Sequence, residues 1–256
     1  MSNLNAKAEQ FRSMHVPGQP LVLFNVWDAG SARAVEGAGA RALATGSWSV
    51  AAANGYEDGE RLPLDLAIAN LARIVRATTL PVTVDLESGY GKAPDSVARA
   101  VEQSIAVGAV GCNFEDTDPE GRGLRDIADQ VARIKHARKA ADAQLPAYFI
   151  NARTDVFLNA PASTHTEAMV ADVLERAKAY GEAGANGLFA PGLADAKLIG
   201  RLTKRSPLPV NVMVVDNMPS LAELARLAVA RVSHGPRPYV LAMKALQDAA
   251  RSSLSI

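Results

Sequence analysis

The amino-acid sequence predicts a single (β/α)8 barrel of the TIM type over residues 1–256. Eight short apolar or β-branched strand candidates recur along the chain, and Ala-, Leu-, Arg- and Glu-rich segments with helical spacing separate them. Alternating strands and helices predict a parallel sheet with right-handed crossovers. The even spacing, and the lack of a Gly-x-Gly-x-x-Gly turn after the first strand, favour a closed barrel over the alternative of a doubly wound open sheet.

The boundaries of the predicted elements alternate regularly. The strand candidates are residues 21–28, 42–46, 81–87, 111–116, 147–155, 187–191, 210–215 and 231–233. The main helix candidates are residues 31–38, 65–77, 94–106, 127–140, 166–183, 193–201 and 220–228. Strands two, four and six follow a Gly-Ala pair, because glycine suits the left-handed residue that ends a helix. Strands three, five and seven follow Leu-Pro, because proline stops a helix.

Composition narrows the class of protein before any site is considered. Lys+Arg and Asp+Glu both total 27, so no net charge favours nucleic acid or an anionic membrane as a partner. The lone Cys112 excludes an internal disulfide and fits a reducing compartment. The sequence shows neither the apolar core of a signal peptide nor an apolar run of about 18 residues. We therefore expect a soluble, cytoplasmic protein.

Two carboxylates and a glycine-rich turn end the third predicted strand. Side chains alternate between the faces of a strand, so Asp85 and Glu87 point the same way. Gly89 and Gly91 then allow a sharp turn or the close approach of a ligand. Because desolvation and mutual repulsion oppose the burial of two like charges, a cation is expected there, either a metal ion or an arginine.

The neighbouring strands end in further polar residues. Strand four supplies Asn113 and Glu115 on one face, and strand five supplies Arg153. Strand two ends in the small-residue turn formed by Thr45, Gly46 and Ser47, which suits the binding of a carboxylate or phosphate. The carboxyl ends of barrel strands meet at one mouth. The sequence therefore predicts one site that could hold a divalent metal together with a carboxylate substrate.

Five motifs occur in a fixed order along the chain. They are Thr45-Gly46-Ser47, Gly55-Tyr-Glu-Asp58, Asp85-x-Glu87-x-Gly89-Tyr-Gly91, Asn113-x-Glu115-Asp116 and Asn151-Ala-Arg153-Thr-Asp155. Together they resemble the isocitrate lyase/phosphoenolpyruvate mutase superfamily, and the resemblance covers most of the chain. It implies an (α/β)8 barrel whose last helix is exchanged with a partner subunit, in dimers that pair into tetramers.

The resemblance also implies a cofactor, a substrate class and site residues. Mg²⁺ (or Mn²⁺) would be held by Asp85, and by Glu87, Glu115 and Asp58 directly or through water. A small 2-oxo or 2-hydroxy carboxylate would bind Thr45, Gly46, Ser47, Asn113 and Arg153. Members of this superfamily make or break a C–C or P–C bond beside the 2-oxo group, through an enolpyruvate-like species that the metal stabilises.

The loop after strand four departs from the patterns of the known subgroups. Isocitrate and methylisocitrate lyases carry a Lys-Lys-Cys-Gly-His loop there, and phosphoenolpyruvate mutase and phosphonopyruvate hydrolase carry a Lys-Thr-Asn-type sequence. Residues 117–124 contain neither sequence. Glu120, Arg122 and Arg125 are what this segment offers instead, either on a mobile lid that brings catalytic groups to the substrate or on a solvated surface loop.

We therefore predict a Mg²⁺-dependent lyase that cleaves a C–C bond of a small 2-oxo or 2-hydroxy carboxylate, in the manner of an oxaloacetate decarboxylase. A P–C bond enzyme of the phosphoenolpyruvate mutase or phosphonopyruvate hydrolase type is one alternative. A non-catalytic protein that binds a 2-oxo acid is another. Of the histidines, His15, His136 and His165 are interpreted as surface residues, and His234 as a residue that could reach the barrel mouth.

Overall fold

The computed structural model describes residues 2–120 and 123–254, and its eight strands form one parallel sheet. The strands are β1 (Leu21–Leu23), β2 (Leu43–Ala44), β3 (Val82–Asp85), β4 (Gly111–Glu115), β5 (Phe149–Arg153), β6 (Gly187–Ala190), β7 (Val210–Met213) and β8 (Arg231–Ser233). Their order is β1-β8-β7-β6-β5-β4-β3-β2, with every pairing parallel. A bridge between Val26 and Thr45 joins the two edges. The barrel is thus nearly closed, which confirms the predicted (β/α)8 fold.

Helices follow the strands around the barrel. The described part of the chain contains α1 (Ser2–Ser13), α2 (Ala29–Gly37), α3 (Ser47–Ala53), α4 (Leu64–Arg76), α5 (Ser96–Ala106), α6 (Ile127–Gln144), α7 (Glu167–Glu182), α8 (Ala196–Arg205), α9 (Leu221–Arg226) and α10 (Arg237–Leu254), with a 3-10 turn at Ala162–Thr164. The seven predicted helices are confirmed, with ends that differ by a few residues. Neither α1 nor α3 was among the predicted helices.

Several strands are shorter than predicted. The segments 21–28 and 147–155 are observed as Leu21–Leu23 and Phe149–Arg153. Ladder pairing stops where neighbouring chains diverge into the loops at the mouth, although the β-forming composition continues further. The residues beyond the last ladder pair belong to the loops that build the site.

Helix α1 lies at the amino-terminal end of the barrel. Its Phe11 is fully buried and meets the ring of Phe149 edge-on, with ring centroids 5.7 Å apart. His15 stacks on the same Phe149 ring at 3.9 Å, and its Nδ1 lies 2.9 Å from the Phe11 carbonyl oxygen. The interpretation of His15 as a surface residue is wrong, because its side chain is buried against the rings of Phe11 and Phe149.

Polar side chains occupy part of the barrel interior. Arg231 on β8 donates a hydrogen bond to Asn113 on β4, and these two strands lie on opposite sides of the ring. Asn151 of β5 also donates to Asn113. The outward residues of the same strands, such as Phe114 and Ile150, pack in the apolar layer beneath the helices. Strand parity thus divides an apolar outer core from a polar interior that leads to the mouth.

The last helix is exposed along most of its length. In α10 only Pro238 is buried among the described side chains, whereas Val240, Leu241, Leu246 and Leu254 are half or more exposed. Tyr239, near the start of the helix, meets the rings of Trp27 and Trp48 edge-on. None of the helices within residues 2–120 and 123–254 combines the length and apolar character needed to span a membrane.

Candidate functional site

Asp85 ends β3 at the centre of the barrel mouth, and the turn after β2 fixes its side chain. The backbone N–H and the hydroxyl of Ser47 both donate to Asp85 Oδ2, at 3.2 and 3.0 Å. The Thr45 hydroxyl accepts from the Asp85 backbone N–H at 2.9 Å. The other carboxylate oxygen, Oδ1, is buried and has no hydrogen-bond partner among the residues described. One oxygen of Asp85 is therefore anchored, and the second is available to a ligand.

Glu87 lies in the turn after β3, with its carboxylate held by two donors. The Glu60 N–H donates to Oε2 at 2.6 Å, and the Tyr90 hydroxyl donates to Oε1 at 3.1 Å. Glu87 has φ of 50°, so the turn holds a non-glycine residue in the left-handed region. Burial, followed by the nearby charge of Asp85, raises the pKa of Glu87 to about 7.

Steric packing explains why the residue at the centre of this turn is a glycine. Gly89 has φ of +97°, and a Cβ there would lie 2.3 Å from Val97 Cγ2 and 2.9 Å from Phe114 Cε2. No other residue fits between the turn and the helix beneath it. Glycine at position 89 is therefore required by packing as well as by the turn.

An arginine and a glutamate that the motifs do not include hold the same turn. Arg133 of α6 is fully buried, and its two terminal nitrogens donate to the carbonyl oxygens of residues 88, 91, 92 and 93 at 2.5–3.2 Å. From the other side, the Glu60 carboxylate accepts from the Ser88 hydroxyl and the Tyr90 N–H, both at 2.7 Å. The position of Glu87 thus depends on contacts from α6 and from the loop before α4.

Arg153 joins two carboxylates at the ends of β4 and β5. Its Nη1 lies 2.8 Å from Glu115 Oε2, and its Nε and Nη2 form a bidentate pair with Asp155 at 2.6 and 2.9 Å. Burial alone would lower the pKa of Arg153, but the charges of Glu115 and Asp155 outweigh it and raise that pKa. Burial raises the pKa of Glu115 well above its usual value, and the charge of Arg153 offsets only part of that effect.

The four predicted metal ligands do not form a ready-made cluster. No group of three or more acidic, histidine or cysteine side chains within the described residues is placed to hold a metal ion. Glu115 is paired with Arg153, and Asp58 lies exposed at the rim. Partial desolvation and then the charge of Asp85 raise the pKa of Asp58.

A magnesium ion nevertheless fits the chemistry of this site. Mg²⁺ keeps several waters and usually takes only one or two protein carboxylates directly. The buried, unpartnered Oδ1 of Asp85 is an oxygen donor of the required kind. A cation beside it would also relieve the repulsion between Asp85 and Glu87. The residues present therefore suit one direct carboxylate ligand, with the other acids acting through water.

The base of the loop after β4 is firmly anchored. Asp116 accepts from Arg176 Nη1 at 3.0 Å and from the Tyr180 hydroxyl at 2.8 Å, and all three side chains are largely buried. Asp116 Oδ1 also accepts from the Asp155 N–H at 3.1 Å, and the Thr117 hydroxyl donates to Asp155 at 2.7 Å. The loop and the arginine clamp therefore share one hydrogen-bond network.

The predicted loop residues lie beside the β3 turn. Glu120 pairs with Lys92 on the wall of a 610 Å³ cavity that Tyr90 also lines. Arg125 pairs with Asp129 at 3.0 Å. The structure does not bring Glu120 into contact with Arg153, and Arg122 lies outside the described residues.

The other mouth residues occupy two levels of the barrel. Gly46 is the N-cap of α3, and Asn113 lies one pleat below Glu115. His234 follows β8 and lies with its ring against Phe24. Its Nδ1 is within hydrogen-bond distance of the Leu23 carbonyl oxygen, and it contacts none of the four predicted metal ligands.

A (β/α)8 barrel with acids, an arginine and a small-residue turn at its carboxyl-terminal mouth has the architecture of a barrel enzyme. The sequence model of the phosphoenolpyruvate phosphomutase family matches residues 11–254. The chain belongs to this family, within the isocitrate lyase/phosphoenolpyruvate mutase superfamily, and the predicted resemblance is confirmed.

Relatives in the family carry several names. An uncharacterized protein of Mycobacterium tuberculosis H37Rv is 36% identical over 243 residues, covering 94% of this chain and 88% of its own length. An oxaloacetate decarboxylase of Bradyrhizobium is 31% identical over 235 residues, covering 88% and 77%. A crystal structure of a candidate phosphonomutase from Burkholderia cenocepacia is 58% identical with a TM-score of 0.95, covering 98% and 99%.

A solved phosphonopyruvate hydrolase shows what a protein of this fold can hold. It was crystallised with oxalate and Mg²⁺, has a TM-score of 0.81 and is 22% identical, covering 96% of this chain and 86% of its own. At that identity the likeness supports the fold alone. The family as a whole comprises lyases and mutases, and this chain is accordingly a lyase or mutase type of enzyme.

Proposed function

We propose that the protein is a Mg²⁺-dependent (or Mn²⁺-dependent) lyase that cleaves a C–C bond of a small 2-oxo or 2-hydroxy carboxylate, as an oxaloacetate decarboxylase does. The observation that carries this proposal is the buried, unpartnered Asp85 Oδ1 at a mouth that also holds Arg153. The similarity to oxaloacetate decarboxylases supports the same reaction type.

In this proposal Asp85 holds the metal directly, and Glu87, Glu115 and Asp58 contribute through water. The bound ion would act as a Lewis acid that stabilises the enolate charge left on the substrate oxygen when the C–C bond breaks. Thr45 and Ser47 keep Asp85 in place through their hydrogen bonds. The anchored anion-binding turn restricts how the substrate can lie.

The protein's own donors orient the substrate. Three nitrogens of Arg153 bond Glu115 and Asp155, and Nη1 and Nη2 each carry a second proton that can bind a carboxylate. We assign the substrate carboxylates to Arg153, to Asn113 and to the turn Thr45, Gly46 and Ser47. Glu120 and Arg122 are proposed as catalytic residues together with Arg153, and a lid formed by loop 117–124 would bring them to the substrate.

The similarity to a candidate phosphonomutase favours a second function, which is P–C bond chemistry on phosphonopyruvate. The same metal and arginine would serve that reaction, because it also passes through an enolpyruvate-like species. The two functions differ in their products. Pyruvate formed from oxaloacetate without phosphate supports the lyase, and phosphate released from phosphonopyruvate supports the alternative.

The deciding experiment compares Asp85→Ala with Asp142→Ala, a surface carboxylate on α6 that pairs with Arg138. Each purified protein is assayed for pyruvate release from a panel of 2-oxo and 2-hydroxy acids, with Mg²⁺ and with EDTA. We expect EDTA and Asp85→Ala to abolish turnover and Asp142→Ala to leave it intact. Turnover that survives EDTA would refute the metal-dependent mechanism. Metal-dependent stabilisation by oxalate with no turnover of any acid would indicate a non-catalytic binder.

A further inference from the structure

Arg231 is a buried arginine whose guanidinium is in direct contact with side-chain amide and hydroxyl oxygens. Its side chain is fully buried in the barrel interior, and Asn211 of β7 is its ladder neighbour. Within residues 2–120 and 123–254 it makes no ion pair, and its Nη1 has no hydrogen-bond partner. Burial lowers the pKa of Arg231 to about 9, and the charge of Asp85 offsets only part of that effect. A buried guanidinium opposes folding unless other groups hold it, and one of its contacts lies across the barrel.

That contact is with the Asn113 amide on the opposite wall. Arg231 Nη2 donates to Asn113 Oδ1 at 3.2 Å, and Asn151 Nδ2 donates to the same oxygen at 2.9 Å. A carbonyl oxygen has two lone pairs, so these two donors saturate it. An amide is planar, with its oxygen and nitrogen on opposite sides. The two bonds therefore also determine where Asn113 Nδ2 points.

The nitrogen end of this amide is left for a ligand. Asn113 Nδ2 donates to no residue of the described chain, and it is not among the side-chain atoms that are sealed from solvent without a partner. Asn113 is the β-ladder neighbour of Asp85, whose Oδ1 is also unpartnered. A donor and a metal-binding oxygen thus lie on adjacent strands at the same level.

Side chains of β7 and β8 hold Arg231 in place. Its Nε donates to the Ser233 hydroxyl at 3.3 Å, and Asn211 Nδ2 donates to the same hydroxyl at 3.1 Å. The guanidinium therefore has a fixed anchor at one end and a target at the other. A flexible side chain would not determine the orientation of an amide across the barrel.

We propose that Arg231 is a positioning residue. It turns the Asn113 amide so that Nδ2 donates to an oxygen of the bound 2-oxo acid or of its enolate. This inference rests on the proposed function, because it assigns a recognition role within the same site. The ligand class is a small planar dicarboxylate or 2-oxo carboxylate, and oxalate is its simplest probe.

The test measures oxalate affinity calorimetrically in the presence of Mg²⁺, and Mn²⁺ affinity by EPR, for wild type, Arg231→Met, Asn113→Ala and the double variant. We expect each single variant to bind oxalate about tenfold more weakly, since one hydrogen bond to a charged ligand is lost. Mn²⁺ affinity should not fall in any of these variants, because none removes an acid and Arg231→Met removes a positive charge that acts on Asp85. In the double variant Arg231→Met should cause no further loss, because both changes remove the same donor.

Two further variants separate positioning from stability. Arg138→Met is the matched control, because Arg138 also donates to an asparagine amide oxygen, that of Asn186, but at the other end of β5, and oxalate affinity should not change. Asn113→Asp gives Arg231 a carboxylate partner while replacing the donor by an acceptor. We therefore expect this variant to remain folded, with thermal stability at least equal to wild type, yet to lose oxalate binding. If Arg231→Met does not fold, the oxalate binding of Asn113→Asp is measured as the test instead.

The outcomes are distinct. Wild-type oxalate binding that persists undiminished in Arg231→Met or in Asn113→Asp would overturn this inference and leave the proposed function standing. An additional loss in the double variant would also overturn it, since Arg231 would then act independently of Asn113. Wild-type protein that binds Mn²⁺ but not oxalate would overturn the proposed function, and the inference with it.

Discussion

At the scale of single residues, the site is organised by how its charges are shared. Arg153 bridges Glu115 and Asp155, so both carboxylates already have a counter-charge in contact before any ligand arrives. Asp85 has no such counter-charge in contact, and one of its oxygens is unpartnered. This difference separates an acid that positions an arginine from an acid that can bind a cation. It also explains why parity alone, which puts Asp85 and Glu115 at one mouth, could not assign their roles.

The bidentate pair between Arg153 and Asp155 gives a first residue-scale prediction. Asp155→Asn keeps the shape but removes the charge that holds two nitrogens of the guanidinium. A charge-assisted pair of this kind is worth about 1.5–3 kcal/mol, so we expect oxalate affinity to fall roughly 10- to 100-fold. Mn²⁺ affinity should not change. Asp142→Asn, which alters an exposed arginine pair, is the control, and unchanged oxalate affinity in Asp155→Asn would contradict the assignment.

His15 gives a second prediction, on stability and pH. Burial, followed by the charge of Arg231, lowers the pKa of His15 to about 3 from its usual value of 6.5. Between these values the unfolded chain binds a proton that the folded chain does not. The contribution of neutral His15 to the free energy of unfolding is therefore complete above about pH 6.5 and falls with decreasing pH, by about 1.4 kcal/mol per unit.

The measurement is the free energy of unfolding in urea between pH 7 and 4. His15→Phe keeps a ring against Phe149 and removes the titration, so its pH dependence should be shallower over this range. His136→Phe changes an exposed histidine and should leave the wild-type slope intact. Equal slopes in wild type and His15→Phe would show that His15 does not titrate as its burial implies.

At the scale of elements, the turn after β3 shows what a sequence can and cannot predict. The motif around Gly89 predicts a sharp turn, and the structure gives a steric reason for it in Val97 and Phe114. Arg133 holds that turn, but it is one arginine on a helix that carries other basic residues. No local pattern distinguishes it, because its partners are carbonyl oxygens far away in the chain.

The same limit applied to the interior and to the first helix. Arg231 belongs to a strand of three residues. Nothing in the local sequence indicates that the closed barrel buries this arginine opposite Asn113. The buried role of α1 depends on Phe149, more than a hundred residues away. Strand order and the location of the mouth follow from local patterns, whereas contacts across the barrel require the closed ring.

Arg133→Met tests whether the β3 turn depends on its arginine. The variant leaves carbonyl oxygens of the turn without donors, and we expect it to lose roughly 2–4 kcal/mol of stability. Because Glu87 moves with the turn, Mn²⁺ affinity should also fall. In Arg133→Lys a compact ammonium group replaces the planar guanidinium. This variant should therefore recover only part of the stability and part of the Mn²⁺ affinity.

Arg138→Met separates the turn from a general loss of carbonyl hydrogen bonds, and it should destabilise the protein without changing Mn²⁺ affinity. Unfolding is followed by urea denaturation and metal binding by EPR at a temperature where each variant is folded. Normal Mn²⁺ affinity in a destabilised Arg133→Met would mean that the turn does not set the position of Glu87.

At the scale of the whole molecule, the last helix and the outer surface of β1 both expose apolar side chains. The face of α10 leaves Leu241 55% and Leu246 64% exposed, which is unusual for side chains of this size. Grooves of 620 and 560 Å³ flank Val22 and Phe24 on the outer surface of β1. A barrel helix would normally cover these strands. We expect the α10 of a second subunit to fill this role, in a dimer or a tetramer.

Mass measurement by light scattering at several concentrations tests this expectation. Wild type should be a dimer or tetramer, and Leu241→Asp with Leu246→Asp should shift it to the monomer, because each buried leucine contributes about 1.5–3 kcal/mol. Gln247→Asp adds a charge to an exposed position of the same helix and is the control for charge alone. A monomeric wild type would refute the exchange. The apolar face of α10 would then need another partner, since water alone does not favour a helix with that pattern extending from the barrel.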